Sequence, residues 1–418
     1  MDSESHDVAL SSRMASRESA PMPSVDVLVY ELKSRMKELI VCLSHSWGGL
    51  EQVAAQDAID FASLGLDVTV LCIEGSPIYE ELSKHSQKGA TIKLSPIRFR
   101  PRNYFDFKMR SELERQIRDG INLVHTHQTS LLGSIVPWIW TNAGVALFAS
   151  RHIMNDHNKR DFIHKAIYRR VDKLMVMSHM LRRNVMQTHS LRERQVKVVS
   201  LGLDFDRFDP DKVNADRQRA EWGADAETLV IGLVGRIDPA KGQGTFIKAA
   251  AGLRKNLTKS EKLKFVIVGE QTLGSYSNHL NELKEMVAQF GLEADVVFAG
   301  FQENIPEVVR AFDIFVMPSR EEAFGLVAIE AMAMECPIVI SSGGSADEIV
   351  GDEEFGLTVR PDDAFDLQRQ LRFLIDHPIE RVQMGQRGRE HVKANYDRQI
   401  RIQRTLNLYE RVLRARGV

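Results

Sequence analysis

The stretch Pro318-Ser319-Arg320-Glu321-Glu322-Ala323-Phe324-Gly325-Leu326-Val327-Ala328-Ile329-Glu330 constrains this chain more than any other. The apolar run Asp313-Ile314-Phe315-Val316-Met317 before it reads as a buried strand. Pro318 ends that strand, and Ser319 to Gly325 is polar, turn-rich and closed by glycine, so it reads as a loop. From Leu326 to Met334 every residue is apolar except Glu330. A lone carboxylate in such a helix costs several kcal/mol to bury unless something pairs with it. A buried ion pair with a distant Arg or Lys would explain Glu330 by itself.

Glu322 adds a second carboxylate in the loop at the strand's carboxyl end, the edge where open parallel sheets hold ligands. The helix that follows starts with unpaired N–H groups, those of Phe324, Gly325, Leu326 and Val327, which attract anions. Two acceptors for hydroxyls beside a cluster of donors for phosphate would suit a sugar nucleotide.

Set in Pro-Ser-x-x-Glu-x-Phe-Gly-x-x-x-x-Glu-Ala-Met-Ala, this Glu-x7-Glu spacing resembles the signature of the retaining GT-B glycosyltransferases of family 4. A bare Glu-x7-Glu occurs by chance in most proteins; the match rests on Pro318, Ser319, Phe324, Gly325, Ala331 and Met332 standing around it. The resemblance implies that Glu330 binds the nucleotide ribose and Glu322 the transferred sugar. Loop amides would then meet sugar hydroxyls and the diphosphate. It implies an α/β chain of two Rossmann-like parallel-sheet domains facing a cleft.

At 418 residues the chain is long enough for two domains, and an apolar fraction of 43% supports real cores. A formal net charge of -2 excludes a globally basic nucleic-acid binder. Charge is nonetheless uneven: residues 151–200 hold 12 Lys/Arg and 4 Asp/Glu, so 12 − 4 gives a local excess of +8. Cys42, Cys72 and Cys336 sit in apolar contexts without metal-ligand spacing, as buried thiols do in a reducing cytoplasm. Met1 to Pro23 lacks the basic-then-apolar pattern of a signal peptide. Residues 121–150 carry no Asp, Glu, Lys or Arg, but Pro137, Thr141, Asn142 and Gly144 interrupt them, so a buried strand–helix–strand is expected rather than a membrane span.

Residues 1–35 lack clear periodicity apart from the short apolar Val25 to Leu32 and are expected to be a disordered extension, and Met36 looks like a natural start. Residues 36–205 form the expected N-terminal, acceptor domain. Glu38 to Ser44 reads as its first strand, His45-Ser46-Trp47-Gly48-Gly49 as a glycine turn and Leu50 to Leu64 as a helix. The turn is not Gly-x-Gly-x-x-Gly, so a dinucleotide reading is weak. It resembles the family's Gly-Gly turn, which places Gly48 and Gly49 next to the phosphates and the acceptor. Strands are expected at Thr91–Leu94, Leu123–His125, Val145–Ala149, Lys173–Met177 and Gln195–Val199, an alternation that implies a parallel sheet. His125 and His127 share one side of their strand by period two, and a metal site is not expected without a third ligand. The family resemblance puts His127 close to the reacting sugar; a packed structural histidine is the alternative.

Basic residues recur at 98–110 and 151–170, with Phe162, Ile163, Ile167 and Tyr168 interleaved in the second stretch. A solvated helix face is one reading; contact with an anionic membrane surface or a phosphorylated acceptor is the other. No nucleic-acid motif accompanies the charge.

Residues 206–396 are expected to be the nucleotide-sugar domain, entered after Leu201-Gly202-Leu203-Asp204, with strands at Leu229–Val234, Lys264–Val268, Val296–Phe298, Asp313–Met317, Pro337–Ile340 and Leu357–Val359. Its first loop holds Arg236 and Lys241 ahead of the helix Gly244 to Leu253, and two cations at a strand's carboxyl end suit a diphosphate. They match the family's Gly-Arg-x5-Lys-Gly pattern. Residues 363–418 read as helical, and 397–418 is expected to cross back to the first domain as in the family.

Two departures stand out. Glu335 occupies a position where the family usually has glycine, and so should adopt a left-handed backbone. Gly343-Gly344-Ser345-Ala346-Asp347-Glu348 is one residue longer than the family's turn.

Taken together, the resemblance implies a cytoplasmic or inner-face peripheral enzyme that moves a hexosyl group from a UDP-, GDP- or ADP-sugar to an envelope lipid or polysaccharide acceptor. It would retain configuration, with Arg236 and Lys241 replacing a divalent metal and no cofactor. A noncatalytic sugar-nucleotide-binding subunit, a GT-B sugar-nucleotide epimerase and a nicotinamide oxidoreductase are the competing readings.

Overall fold

A computed structural model describes residues 22–86, 92–101, 104–154, 157–256, 261–271, 278–320, 322–351 and 353–418. Two parallel sheets organise them. The first runs β1 (Lys37–Cys42), β2 (Asp67–Ile73), β3 (Ile92–Ile97), β4 (Leu123–Thr126), β5 (Ala146–Arg151), β6 (Lys173–Val176) and β7 (Val196–Val198) in the order β3-β2-β1-β4-β5-β6-β7. The second runs β8 (Thr228–Val234), β9 (Lys262–Val268), β10 (Val296–Gly300), β11 (Ile314–Met317), β12 (Ile338–Ser341) and β13 (Leu357–Val359) in the order β10-β9-β8-β11-β12-β13. Strands such as Ile338–Ser341 are buried along their whole length because helices cover both faces, which is why they read as continuous apolar runs. In each sheet the strand order reverses beside the first strand, and the crevice at that point lies at the carboxyl edge.

The chain upstream of β1 corrects one expectation. Residues 1–21 lie outside the described residues, but Val25–Lys33 is a helix, capped by Ser24 and not disordered. Its Leu28 and Leu32 are fully buried in the same core as Ile402, Leu406, Tyr409 and Leu413 of the last helix, Arg398–Ala415. Arg35 also bonds the carbonyl of Val418, and Gln403 Nε2 donates to the Pro23 carbonyl at 2.7 Å. A chain begun at Met36 would leave that face of the last helix bare. The strand expected from Thr91 begins at Ile92, Thr91 itself lying outside the described residues.

The last helix follows Asp397, which bridges to Leu203 by backbone, and packs on the first sheet. It carries a polar network into that sheet's core. Tyr409 Oη donates to Glu38 Oε1 at 2.7 Å and shares a 2.6 Å hydrogen bond with His125 Nδ1, while His125 Nε2 meets Ser150 Oγ at 2.8 Å. Burial raises the Glu38 carboxyl to about 8 against the opposing hydrogen bond from Tyr409. Glu335 is left-handed as expected, with φ of 60°. The helix Pro378–Tyr396 holds it there: a Cβ on Gly385 would lie 1.9 Å from the Glu335 carbonyl oxygen.

Leu32→Ala should therefore lower unfolding free energy by about 2–5 kcal/mol, the usual cost of truncating a buried leucine. Urea denaturation measures it, and a change below about 0.5 kcal/mol would show that the helix does not dock.

Candidate active site

The loops after β8 and β11 interlock at the carboxyl edge of the second sheet. Asp238 caps the short turn Pro239–Lys241, and Gly242 follows in a left-handed conformation with φ of 75°. A Cβ there would sit 2.1 Å from the Pro318 carbonyl oxygen, so only glycine lets the two loops touch. Arg320 N–H donates to the Ala240 carbonyl at 2.9 Å. Across this contact Lys241 Nζ meets Glu322 Oε2 at 2.8 Å, both half-buried.

Gly325, left-handed at φ of 79°, starts the helix Leu326–Ala333. The first-turn N–H groups of Leu326 and Val327 have no carbonyl one turn back within the helix. The Phe324 ring is buried edge-on to Tyr396, so only its backbone can serve a ligand. The Gly343–Glu348 turn leans on the same place: Ser345 N–H and Oγ bond the Glu322 carbonyl at 3.1 and 3.2 Å. A Cβ on Gly344 would approach that carbonyl oxygen to 2.6 Å.

Glu330 and Leu326 line a cavity of about 200 Å³ between the domains, faced by Gly49, Gln52 and Arg401. Desolvation raises the Glu330 carboxyl to about 7, partly offset by the Arg207 guanidinium. Gly48 precedes the helix Gly49–Ser63, its N–H donating to Glu51 Oε2 at 2.9 Å. Nothing lies within 4 Å of where a Gly49 Cβ would be.

The structure thus groups the residues singled out by sequence into a Lys241–Glu322 pair and a Gly49–Leu326–Glu330 cavity. Arg236 belongs to neither: its side chain is exposed, and its carbonyl accepts from Gln243 Nε2 at 2.7 Å. His127 is 1% exposed, with Asp57 Oδ2 3.6 Å from its Nε2 and His152 stacked on it. Arg401, which lines the cavity, holds both Asp57 oxygens at 2.7 and 2.9 Å. Burial, with His152 and Arg401 nearby, pushes the His127 imidazole well below its usual range and keeps it neutral.

The third metal ligand thought to be missing is also present, because Asp57, His125 and His127 offer atoms within 4.8 Å of one another. The donor set fits a dication poorly. Arg401 already occupies the Asp57 carboxylate, and both His125 nitrogens are engaged by Tyr409 and Ser150.

Sequence reading missed the contacts made across the cleft. Glu348 accepts from the N–H groups of His179 and Met180, each at 2.8 Å, at the start of the helix His179–Thr188. Ser178 Oγ donates to the Ala323 carbonyl at 2.7 Å. Only the unusual length of the Gly343–Glu348 turn drew notice to that region. Arg207, Asp57 and Arg401 carry no motif and were found by position alone.

Two family descriptions match the chain: Glycosyl transferases group 1 over residues 214–391 and Glycosyltransferase Family 4 over residues 47–207. The D-inositol 3-phosphate glycosyltransferase of Saccharomonospora viridis is 25% identical over 83% of this chain and 85% of that protein. The lipopolysaccharide core biosynthesis mannosyltransferase LpsB of Rhizobium meliloti is 36% identical over 40% of this chain and 46% of its own length. A glycosyltransferase structure from Rickettsia africae superposes with a TM-score of 0.77 at 20% identity, covering 90% of this chain and 98% of that one. Anabaena Alr3699/HepE in complex with UDP-glucose gives 0.72 at 20% identity, covering 89% and 98%.

The raised Glu330 carboxyl has a consequence for stability. Between the ordinary carboxylate range and about 7 the folded chain holds a proton that the unfolded chain releases, so stability falls as pH rises through that window. Glu330→Gln should melt higher than the parent at pH 8 and match it at pH 5. Calorimetry checks this, and equal differences at both pH values would remove the desolvated carboxylate.

Proposed function

We propose, for a chain that belongs to the group 1 glycosyltransferases and has their GT-B fold, that it transfers a hexosyl group from a nucleoside diphosphate sugar with configuration retained. The acceptor is an envelope lipid or polysaccharide intermediate. The observation that carries the donor reading is the Lys241–Glu322 pair set beside a helix start, with Glu330 one to two turns further along. In the absence of donor, Glu322 neutralises the ammonium. A diphosphate drawn to Lys241 and to the N–H groups of Leu326 and Val327 would compete for that ammonium and release Glu322 to accept sugar hydroxyls. Glu330, with the Arg207 guanidinium nearby, accepts the ribose hydroxyls.

The bond from the anomeric carbon to the diphosphate oxygen breaks, and a bond from that carbon to the acceptor oxygen forms on the same face. The acceptor's proton leaves with the diphosphate. Charge developing on the diphosphate is met by Lys241 and by Arg236, whose exposed guanidinium can fold onto it, so that no divalent metal is required. His127, neutral beneath Asp57 and Arg401, supports the wall of the cleft.

The envelope acceptor is supported by relatives named for an inositol phosphate and for lipopolysaccharide core. Peripheral attachment to the inner face of a membrane is supported by Phe107, Phe162 and Ile163, exposed at 71%, 86% and 57%, among Lys108, Arg110, Arg160 and Lys165. Among the described residues no helix is long and apolar enough to cross a membrane.

A hydrolysis screen of UDP-, GDP- and ADP-sugars with and without EDTA tests the donor and the metal together. We expect one donor class to turn over equally in both conditions; activity abolished by EDTA would refute the metal-free scheme. Loss of a charged hydrogen-bond partner in Glu330→Ala should weaken binding of the preferred donor by about 10- to 100-fold. Unchanged affinity by titration calorimetry would remove the ribose assignment.

A further inference from the structure

Away from the cleft, the first sheet carries an unusual concentration of positive charge. Lys173 opens β6 at the amino edge, and a cavity of about 420 Å³ lies beside it. Three elements wall the cavity: the end of the helix Phe162–Arg170, the turn Glu193–Gln195 and the end of the helix Arg398–Ala415. Arg169, Lys173, Arg192, Arg194, Arg411 and Arg416 all line it.

Asp172 is the single carboxylate in that lining, and it is already spent. Its Oδ1 meets Arg416 at 2.7 Å, and its Oδ2 meets Arg170 at 3.4 Å and accepts from Leu147 N–H at 2.8 Å. Among the described residues, no carboxylate pairs with Arg169, Lys173, Arg192, Arg194 or Arg411. Lys173 Nζ donates to the Arg194 carbonyl at 2.8 Å, which fixes it in the wall. Burial holds its ammonium below the usual range, and Lys197, Arg194 and Arg411 push it the same way against Asp172. Isolated surface arginines extend into water and cost little. Here like charges from three elements face one concavity, where low-dielectric walls focus their field.

We propose that this cavity binds a ligand carrying two or more phosphate groups, at a site separate from the catalytic cleft. Guanidinium forks match phosphate oxygens two at a time, and cations spread around the rim would leave a single carboxylate outnumbered. The ligand cannot be the sugar donor in its cleft. The chain runs through β6 from Lys173 in this wall to Ser178, which bonds Ala323 across the cleft, and five residues at about 3.3 Å each separate the two edges by roughly 16 Å. A free polyphosphate ester and a phosphorylated lipid headgroup share the recognised chemistry. Either would tie together the three elements that wall the cavity.

The test uses the full chain with Arg236→Ala and Lys241→Ala, which disables diphosphate binding in the cleft. Inorganic pyrophosphate is titrated by calorimetry, and vesicles of phosphatidylcholine with or without phosphatidylinositol bisphosphate are tested by co-sedimentation. Binding of either probe should persist in this background and fall by about tenfold or more on adding Arg194→Glu and Arg411→Glu. Both positions are exposed, and an unaltered melting temperature without ligand confirms folding. Should that variant misfold, Arg192→Gln with Arg411→Gln takes its place. Binding of pyrophosphate alone assigns a free ligand, and binding of the bisphosphate vesicles alone assigns a headgroup. Absence of both, binding that survives charge reversal, or equal binding of sulfate at matched ionic strength would overturn the site.

Discussion

The 2.8 Å pair between Lys241 and Glu322 is the contact around which the second domain's working edge is arranged. Two half-buried charges taken from water are tolerated because each offsets the other's desolvation. They meet only because the loops bearing them can touch, and that depends on a glycine at 242 against the Pro318 carbonyl. The Gly343–Glu348 turn then closes on the same place through Ser345 and Gly344, so three loops from neighbouring strands form one rigid rim. Loops held together in this way would lose little further entropy if a charged ligand bound between them.

A second constraint joins the two halves. The last helix leaves the second domain at Asp397 and lays Arg401 over Asp57 and Tyr409 beside Glu38 and His125. Polar groups buried this deeply must be satisfied by partners brought from far along the chain. The helix therefore belongs to the first domain's core, and its first turns also shape the cleft. Glu348 at the start of the helix His179–Thr188 adds a link from the opposite side, a carboxylate on the positive end of a helix.

Much of this was legible beforehand. Alternation of apolar runs with helical periodicity placed the strands to within a few residues, because buried parallel strands have to be continuously apolar. The left-handed Glu335 was visible because a non-glycine residue stood in a position whose turn demands positive φ. Glu322 and Glu330 stood out because they share one loop and the helix that follows it, so their spacing is local; Lys241, on another loop, stood out through its match to the family's Gly-Arg-x5-Lys-Gly pattern. The helix Val25–Lys33 was not found. Its nine residues bury one narrow face and lie beside a polar stretch that hides the signal.

Local spacing determined what the chain alone could determine: two α/β halves, the glycine turns, and a loop carrying acids ahead of a helix that starts with free N–H groups. Those features depend on residues within a few positions of one another, whose geometry the backbone sets. Tertiary structure alone decided that His127 lies under Asp57 and Arg401, that Arg207 faces Glu330, and that Lys173 and five arginines meet around one cavity. Those partners are brought together by crossovers and by the returning helix. Distance in the sequence carries no record of which side chains such a path makes neighbours.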